Sequence, residues 1–136
     1  MRYRRADVVG GTYFFTVNLA ERKWTLLVDF IDDLRYVMRK VKKVHPFHID
    51  AMVVLPDHLH AMWTLPMGDA NFPMRWSLIK AGFSRRIPKN ERRNASRVAK
   101  GESGIWQRRF WEHLIRGERD DENHVNYIHF NRVKQG

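Results

Sequence analysis

Leu55-Pro56-Asp57-His58-Leu59-His60-Ala61-Met62-Trp63 sets two histidines one residue apart inside an apolar run. On a strand, successive side chains point to opposite faces, so His58 and His60 share one face and Leu59 takes the other. The Pro56-Asp57 corner marks a tight turn between two strands, expected over 47–55 and 58–65. Two imidazoles side by side on a rigid strand make half of a metal site. Ordinary polar residues on a half-buried strand produce the same pattern, so the pair alone leaves both readings open.

Outward from this hairpin the chain alternates strand and helix signals. Thr12-Tyr13-Phe14-Phe15-Thr16-Val17-Asn18 is β-rich, follows Gly10-Gly11, and reads as the first strand. Over 26–44, apolar residues recur at Leu27, Phe30, Ile31, Leu34, Val37, Met38 and Val41, the three-four spacing of an amphipathic helix. Arg35, Arg39, Lys40, Lys42 and Lys43 crowd its second half, which suits the negative end of the helix dipole. Pro46 ends it. A second helix is expected over 71–86, with Phe72, Trp76, Ile79 and Phe83 on one face. Residues 84–104 are polar and basic, their later part a loop. Ile105 to Trp111 interleaves aromatics with arginines, a fourth strand is expected over 112–116, and a final helix over 118–134. Strand, helix, two strands, helix, strand, helix describes an α+β fold: a ferredoxin-like antiparallel sheet with helices packed on it. A length of 136 residues suits one domain, 1–136, with a single core.

Composition narrows the function. Lys plus Arg number 25 against 15 acids, a net charge of +10. Such a balance favours polyanions, because each neutralised phosphate releases condensed counterions. There is no cysteine, hence no disulfide framework, no thiolate metal site and no thiol nucleophile. That suits a reducing cytoplasm. Met1-Arg2-Tyr3-Arg4-Arg5 is basic like the start of a signal peptide, but no long apolar stretch follows, so neither a signal peptide nor a membrane span is expected.

The final helix supplies the second half of a site. In His124-Val125-Asn126-Tyr127-Ile128-His129-Phe130-Asn131, Tyr127 and Asn131 are four apart and stack on one helix face, which His124 shares and His129 does not. If that face covers the strand bearing His58 and His60, two imidazole nitrogens and the Asn131 amide oxygen can surround one cation, with Tyr127 beside them. Such a mixed set leaves positions open for Mn²⁺ or Mg²⁺. Structural zinc is disfavoured without cysteine. The metal would polarise a phosphate oxygen, and Tyr127 would attack phosphorus. A phenol with a pKa near ~10 is a poor nucleophile unless a metal, a cation or a base assists it. Covalent capture conserves the phosphoester, so no nucleotide cofactor is needed. Basic surface and the aromatics from Trp106 to Trp111 suit single strands, charge tracking the backbone and rings stacking on bases. The plainer alternatives are a packed Tyr127, an Asn131 that merely ends a helix, and Trp106, Phe110 and Trp111 in the core.

Four stretches together carry a resemblance. Gly10 to Leu19, Leu55 to His60, Ile105-Trp106-Gln107-Arg108-Arg109-Phe110-Trp111-Glu112-His113, and Tyr127-Ile128-His129-Phe130-Asn131 resemble the REP-associated tyrosine transposases, HUH single-strand transposases with one catalytic tyrosine. The likeness runs from about Tyr3 to the end of the chain. It implies an HUH fold, with His58 and His60 as metal ligands, Asn131 as the third and Tyr127 as the nucleophile. It implies cleavage of single-stranded DNA at the foot of an imperfect palindromic hairpin, leaving a 5′-phosphotyrosine and a free 3′-hydroxyl. It also implies a basic N-terminal segment that helps read a flanking tetranucleotide. Arg2, Arg4 and Arg5 are the candidates for that role, and Arg108 and Arg109 for backbone contact. A bacterial cytoplasmic protein, monomeric rather than dimeric, is expected. The family commonly continues Asn-Pro-Val-Lys-His-Gly after the tyrosine, where this chain has Asn131-Arg132-Val133-Lys134-Gln135-Gly136. Arginine in place of proline lets the helix continue. The family also usually carries a longer, aromatic C-terminal tail, so a shortened form is expected. The rivals are a hairpin-binding protein, for DNA or RNA, that has lost turnover, and a metal nuclease that uses water.

Overall fold

The computed structural model describes residues 10–88 and 104–135, with side chains of the last helix described as far as His129. In chain order the elements are β1 (Thr12–Asn18), α1 (Leu26–Asp29), α2 (Ile31–Val44), β2 (His48–Val54), β3 (His58–Thr64), α3 (Phe72–Arg86), β4 (Trp111–Leu114) and α4 (Glu118–Gln135). The four strands form one antiparallel sheet in the order β2-β3-β1-β4. This is the ferredoxin-like arrangement expected from the element order, with α4 added after the last strand.

The hairpin closes where Pro56-Asp57 predicts, the Leu55 N–H donating to the His58 carbonyl at 2.8 Å. The helix expected over 26–44 is instead two, joined at Phe30, whose φ of −117° and ψ of 38° leave the helical region. The hydrogen-bond ladder continues across the break, Phe30 donating to Leu26 and accepting from Leu34. α3 starts under an Asn71 side chain that accepts the Met74 N–H, with proline in its first turn. Arg75, almost fully buried, pairs with Asp69 at 2.9 Å and donates to the carbonyls of His45, Pro46 and Asn71. That fan of bonds ties the start of α3 to the end of α2. Further along, a Cβ on Gly82 would lie 2.7 Å from Val37, so glycine is what allows α3 to approach α2 this closely.

The sheet is covered on both faces, and strand alternation decides which residue goes where. Phe15, Val17, Leu59, Ala61 and Trp63 face α1, α2 and α3, meeting Leu27, Leu34, Val37, Trp76, Ile79 and Phe83 in the larger core. Trp63 stacks on Trp76 with ring centroids 4.2 Å apart. Phe14, Val53 and Met62 face the other way and meet Ile115, Val125 and Ile128, which seat α4 on the sheet. β4 begins one residue before the expected strand and pairs only with Tyr13 to Thr16. α4 runs through Arg132 to Gln135, as arginine in place of proline allows. Among the described residues no helix is long and apolar enough to cross a membrane.

Candidate functional site

The β1–β3 register builds the site. Thr16 stands opposite His60 and Asn18 opposite His58, on the sheet face that α4 covers. Thr16 Oγ1 lies 2.9 Å from His60 Nδ1, and Asp57 Oδ1 lies 2.9 Å from His58 Nδ1. Both imidazoles are therefore held through Nδ1, which leaves Nε2 of each as the nitrogen available to a ligand. Metal-binding histidines are oriented in this way, by a carboxylate or other acceptor on the second ring nitrogen. His60 is 5% exposed. Burial first, and the neighbouring His58 second, push its pKa down to about 4. It is thus an uncharged imidazole at neutral pH, the form that binds metal.

The tyrosine arrives from above. The His60 ring lies 5.1 Å from the His58 ring and 5.1 Å from the Tyr127 ring, both edge-on. Phe14 packs beneath Tyr127 at 6.0 Å and beside His60 at 5.6 Å. Tyr127 is 49% exposed, far more than its helix neighbours Val125 and Ile128, so one edge of the ring is open to a partner. His58, His60 and Tyr127 line a cleft of about 320 Å³ with Thr16, Asn18, Arg22, Asp57 and Gln107. The donor set present, two imidazoles oriented through Nδ1 beside an open cleft, fits a divalent cation. Asn131 lies one turn beyond Tyr127 on the same helix, its side chain outside the described residues.

Other expected residues divide into three groups. Arg2, Arg4 and Arg5 fall outside the described residues. Arg108 and Arg109 are exposed, next to the cleft-lining Gln107. The aromatics separate. Trp106 is 2% exposed and belongs to the core, its indole N–H donating to the Lys80 carbonyl and to Ser84, so it is no stacking platform. Phe110 is partly buried against the same core, whereas Trp111 is 53% exposed.

Sequence reasoning passed over a second cluster. His113 Nε2 lies 2.8 Å from Asp120 Oδ2, and His124 Nδ1 lies 3.1 Å from Asp120 Oδ1. The three ligand atoms lie within 4.8 Å of one another, a group that could hold a metal ion. The same atoms also satisfy one another. Asp120 accepts the Arg116 N–H at 2.8 Å, and His124 Nδ1 meets the Asp120 carbonyl at 2.8 Å. The carboxyl of Asp120 is pushed up by its burial, but the Arg116 N–H, the His113 hydrogen bond and the two imidazoles bring it to a net value below the usual range. His124 then stacks on His113 at 4.8 Å and meets the Phe14 ring at a tilt at 4.7 Å, which carries the cluster to the floor of the tyrosine site. The i to i+4 spacing of Asp120 and His124 was the available signal.

Fold and site together define a class: a ferredoxin-like sheet whose paired-histidine strand lies under a tyrosine-bearing helix. No family model matches the chain. It is 47% identical over 134 residues to the REP-associated tyrosine transposase of Escherichia coli K12, covering 98% of this chain and 73% of that one. It is 44% identical over 135 residues to a Haemophilus influenzae protein designated in the same family, covering 98% of this chain and 77% of the relative. A solved structure of the REP-associated tyrosine transposase bound to a REP hairpin superposes with a TM-score of 0.78 at 46% identity, covering 100% of this chain and 74% of that one. A Deinococcus radiodurans structure, 19% identical with a TM-score of 0.62 over 95% of this chain and 96% of that one, shares the fold. The chain belongs to the REP-associated tyrosine transposases and is, with them, a DNA cleavage-and-transfer enzyme.

Proposed function

We propose that this chain, as a monomeric single domain in the cytoplasm, binds palindromic hairpin DNA and cuts and rejoins its single-stranded flank through Tyr127. The observation that carries the reading is the closeness of His60 to both His58 and Tyr127, 5.1 Å from each ring. His58 and His60 would hold Mg²⁺ or Mn²⁺ through Nε2, with Asn131 as the third protein ligand. When bound, the ion supplies Lewis-acid polarisation of a phosphate oxygen and lowers the barrier to charge build-up on phosphorus. Asp57 and Thr16 keep the two imidazoles turned toward the ion. Phe14 supports the Tyr127 ring, and the exposed edge of that ring lets the phenolic oxygen reach the strand.

In the first step the Tyr127 oxygen bonds to phosphorus as the bond to the 3′ oxygen breaks. The tyrosine proton is lost to solvent and the leaving 3′ oxygen gains one. The product is a 5′-phosphotyrosine and a free 3′-hydroxyl. A second 3′-hydroxyl reverses these bonds, so the phosphoester is conserved and no nucleotide cofactor enters. Arg2, Arg4 and Arg5 would grip the flanking bases and Arg108 and Arg109 the backbone, consistent with the net charge of +10. The solved relative that carries a REP hairpin supports the choice of substrate.

A labelled single-stranded hairpin with its flanks, incubated with the protein and Mn²⁺ or Mg²⁺ and run on a denaturing gel, tests this. A covalent protein–DNA band is expected, lost with chelator and lost in Tyr127→Phe. Cleavage without a covalent band would show a water-using nuclease. Tight binding without cleavage would show a binding protein that has lost turnover.

A further inference from the structure

On the far side of the Gln107 loop from the tyrosine lies a second cleft of about 290 Å³. One wall is α3, presenting Ser77, Lys80 and Ser84 at helical spacing. The other is the loop with Trp106, Arg108 and Phe110. Lys80 is placed rather than trailing in solvent. Its ammonium donates to the Gln107 carbonyl at 3.1 Å and sits 5.7 Å from the centroid of the Phe110 ring and 6.0 Å from that of Trp106. Gln107 thereby belongs to both clefts: it lines the one holding His58, His60 and Tyr127, and its carbonyl anchors the cation of the other. Its N–H is fixed on the Asn18 carbonyl at 3.0 Å, so the partition between the two clefts is pinned to the end of β1.

We propose that this cleft binds one nucleotide of the single strand that passes through the tyrosine site. Lys80 and Arg108 meet the phosphodiester, the hydroxyls of Ser77 and Ser84 meet its oxygens or the base edge, and the partly buried Phe110 ring offers a face to the base. Charge along a backbone with an aromatic beside it is how proteins hold single strands without reading sequence. The cleft thus sets how far the strand is held from the scissile bond. The inference rests on the reading of the chain as an enzyme of single-stranded DNA flanks.

The test compares two fluorescent oligonucleotides by anisotropy: an imperfect palindromic DNA hairpin alone, and the same hairpin with about ten nucleotides of single-stranded flank on each side. The quantity read is the affinity of the flanked form relative to the bare one. Ser77→Glu, an exposed helix position that tolerates glutamate, sets a negative charge in the cleft; it should shrink that advantage about fivefold or more. Lys80→Gln should lower the salt slope of the flanked form by about 0.7, the share of one single-strand phosphate, and leave the slope of the bare hairpin as it was. An unchanged ratio, or an equal loss for both oligonucleotides, overturns the cleft while the Tyr127 adduct can still form and sustain the function. A parent chain that binds neither oligonucleotide overturns the function and the cleft with it.

Discussion

Thr16 shows how much one hydroxyl decides. It faces His60 across the sheet, and its oxygen at 2.9 Å fixes the imidazole through Nδ1. Thr16→Val keeps the β-branched shape and removes that contact. Mn²⁺ affinity, measured by titration calorimetry, should fall about 10- to 100-fold, the usual cost of losing the group that orients a metal-binding histidine. Unchanged affinity would show that the hydroxyl does not orient the ligand. His60 itself makes the metal-free fold pH-sensitive. Its folded pKa of about 4 lies below the ordinary imidazole value. Between about 6.5 and 4 the unfolded chain therefore takes up a proton that the folded chain refuses. Stability is complete above that window and is lost as pH falls through it, by on the order of 2 kcal/mol once solvent screening is allowed for. Urea midpoints of the metal-free protein at about pH 7 and about pH 4.5 should separate more for the parent than for His60→Asn, whose side chain does not titrate. Equal separations would refute this account. His58, His60 and Tyr127 were legible in the sequence because strand and helix periods fix which residues share a face. Thr16 was not, because its role depends on a register between strands 44 residues apart.

At the scale of elements, α4 is held, among the described residues, by its first turn and by Val125 and Ile128 in the smaller core. Asp120 accepts from the Arg116 N–H and pairs with His113 and His124, linking the start of the helix to β4. This is the reach-back of a capping box extended to a neighbouring strand. Asp120→Asn keeps the shape but loses the charge and cannot accept from all three donors. It should cost about 1–3 kcal/mol by urea unfolding and slow adduct formation, since the helix so anchored carries Tyr127. A variant of parental stability would reduce the network to decoration. Most element positions were legible. The amphipathic spacing over 26–44 located α1 and α2, but the break at Phe30 left no mark, because its hydrogen bonds continue the ladder on both sides. Trp106 misled for a different reason. Arginines follow it two and three residues on, yet residues 105–107 pair with the end of β1 and carry its ring inward, where Lys80 and Ser84 satisfy the indole.

For the whole molecule, the division of the core predicts how it opens. The larger cluster joins the central strands β1 and β3 to α1, α2 and α3 through Phe15, Leu34, Trp63, Trp76 and Phe83, all fully buried. Among the described residues the cluster under α4 is small: Phe14, Val53, Met62, Ile115, Val125 and Ile128. Local opening free energy follows buried apolar contact, so α4 is the part of the described fold that costs least to detach. The two halves of the proposed site sit on opposite sides of that weak seam, the histidines on the sheet and Tyr127 on the helix. Native-state hydrogen exchange should therefore show α4 amides exchanging well before those of β1 and β3. Addition of Mn²⁺ with a hairpin oligonucleotide should slow α4 selectively, because any ligand that spans His58, His60 and the tyrosine helix binds the closed form alone. Uniform exchange across sheet and helix would mean that the seam is no weaker than the core. Protection of the sheet without α4 would mean that the bound DNA does not engage the tyrosine helix. The first pattern is the one the proposed mechanism needs, in which one 3′-hydroxyl leaves and another enters while the proposed phosphotyrosine is carried on a helix that can move.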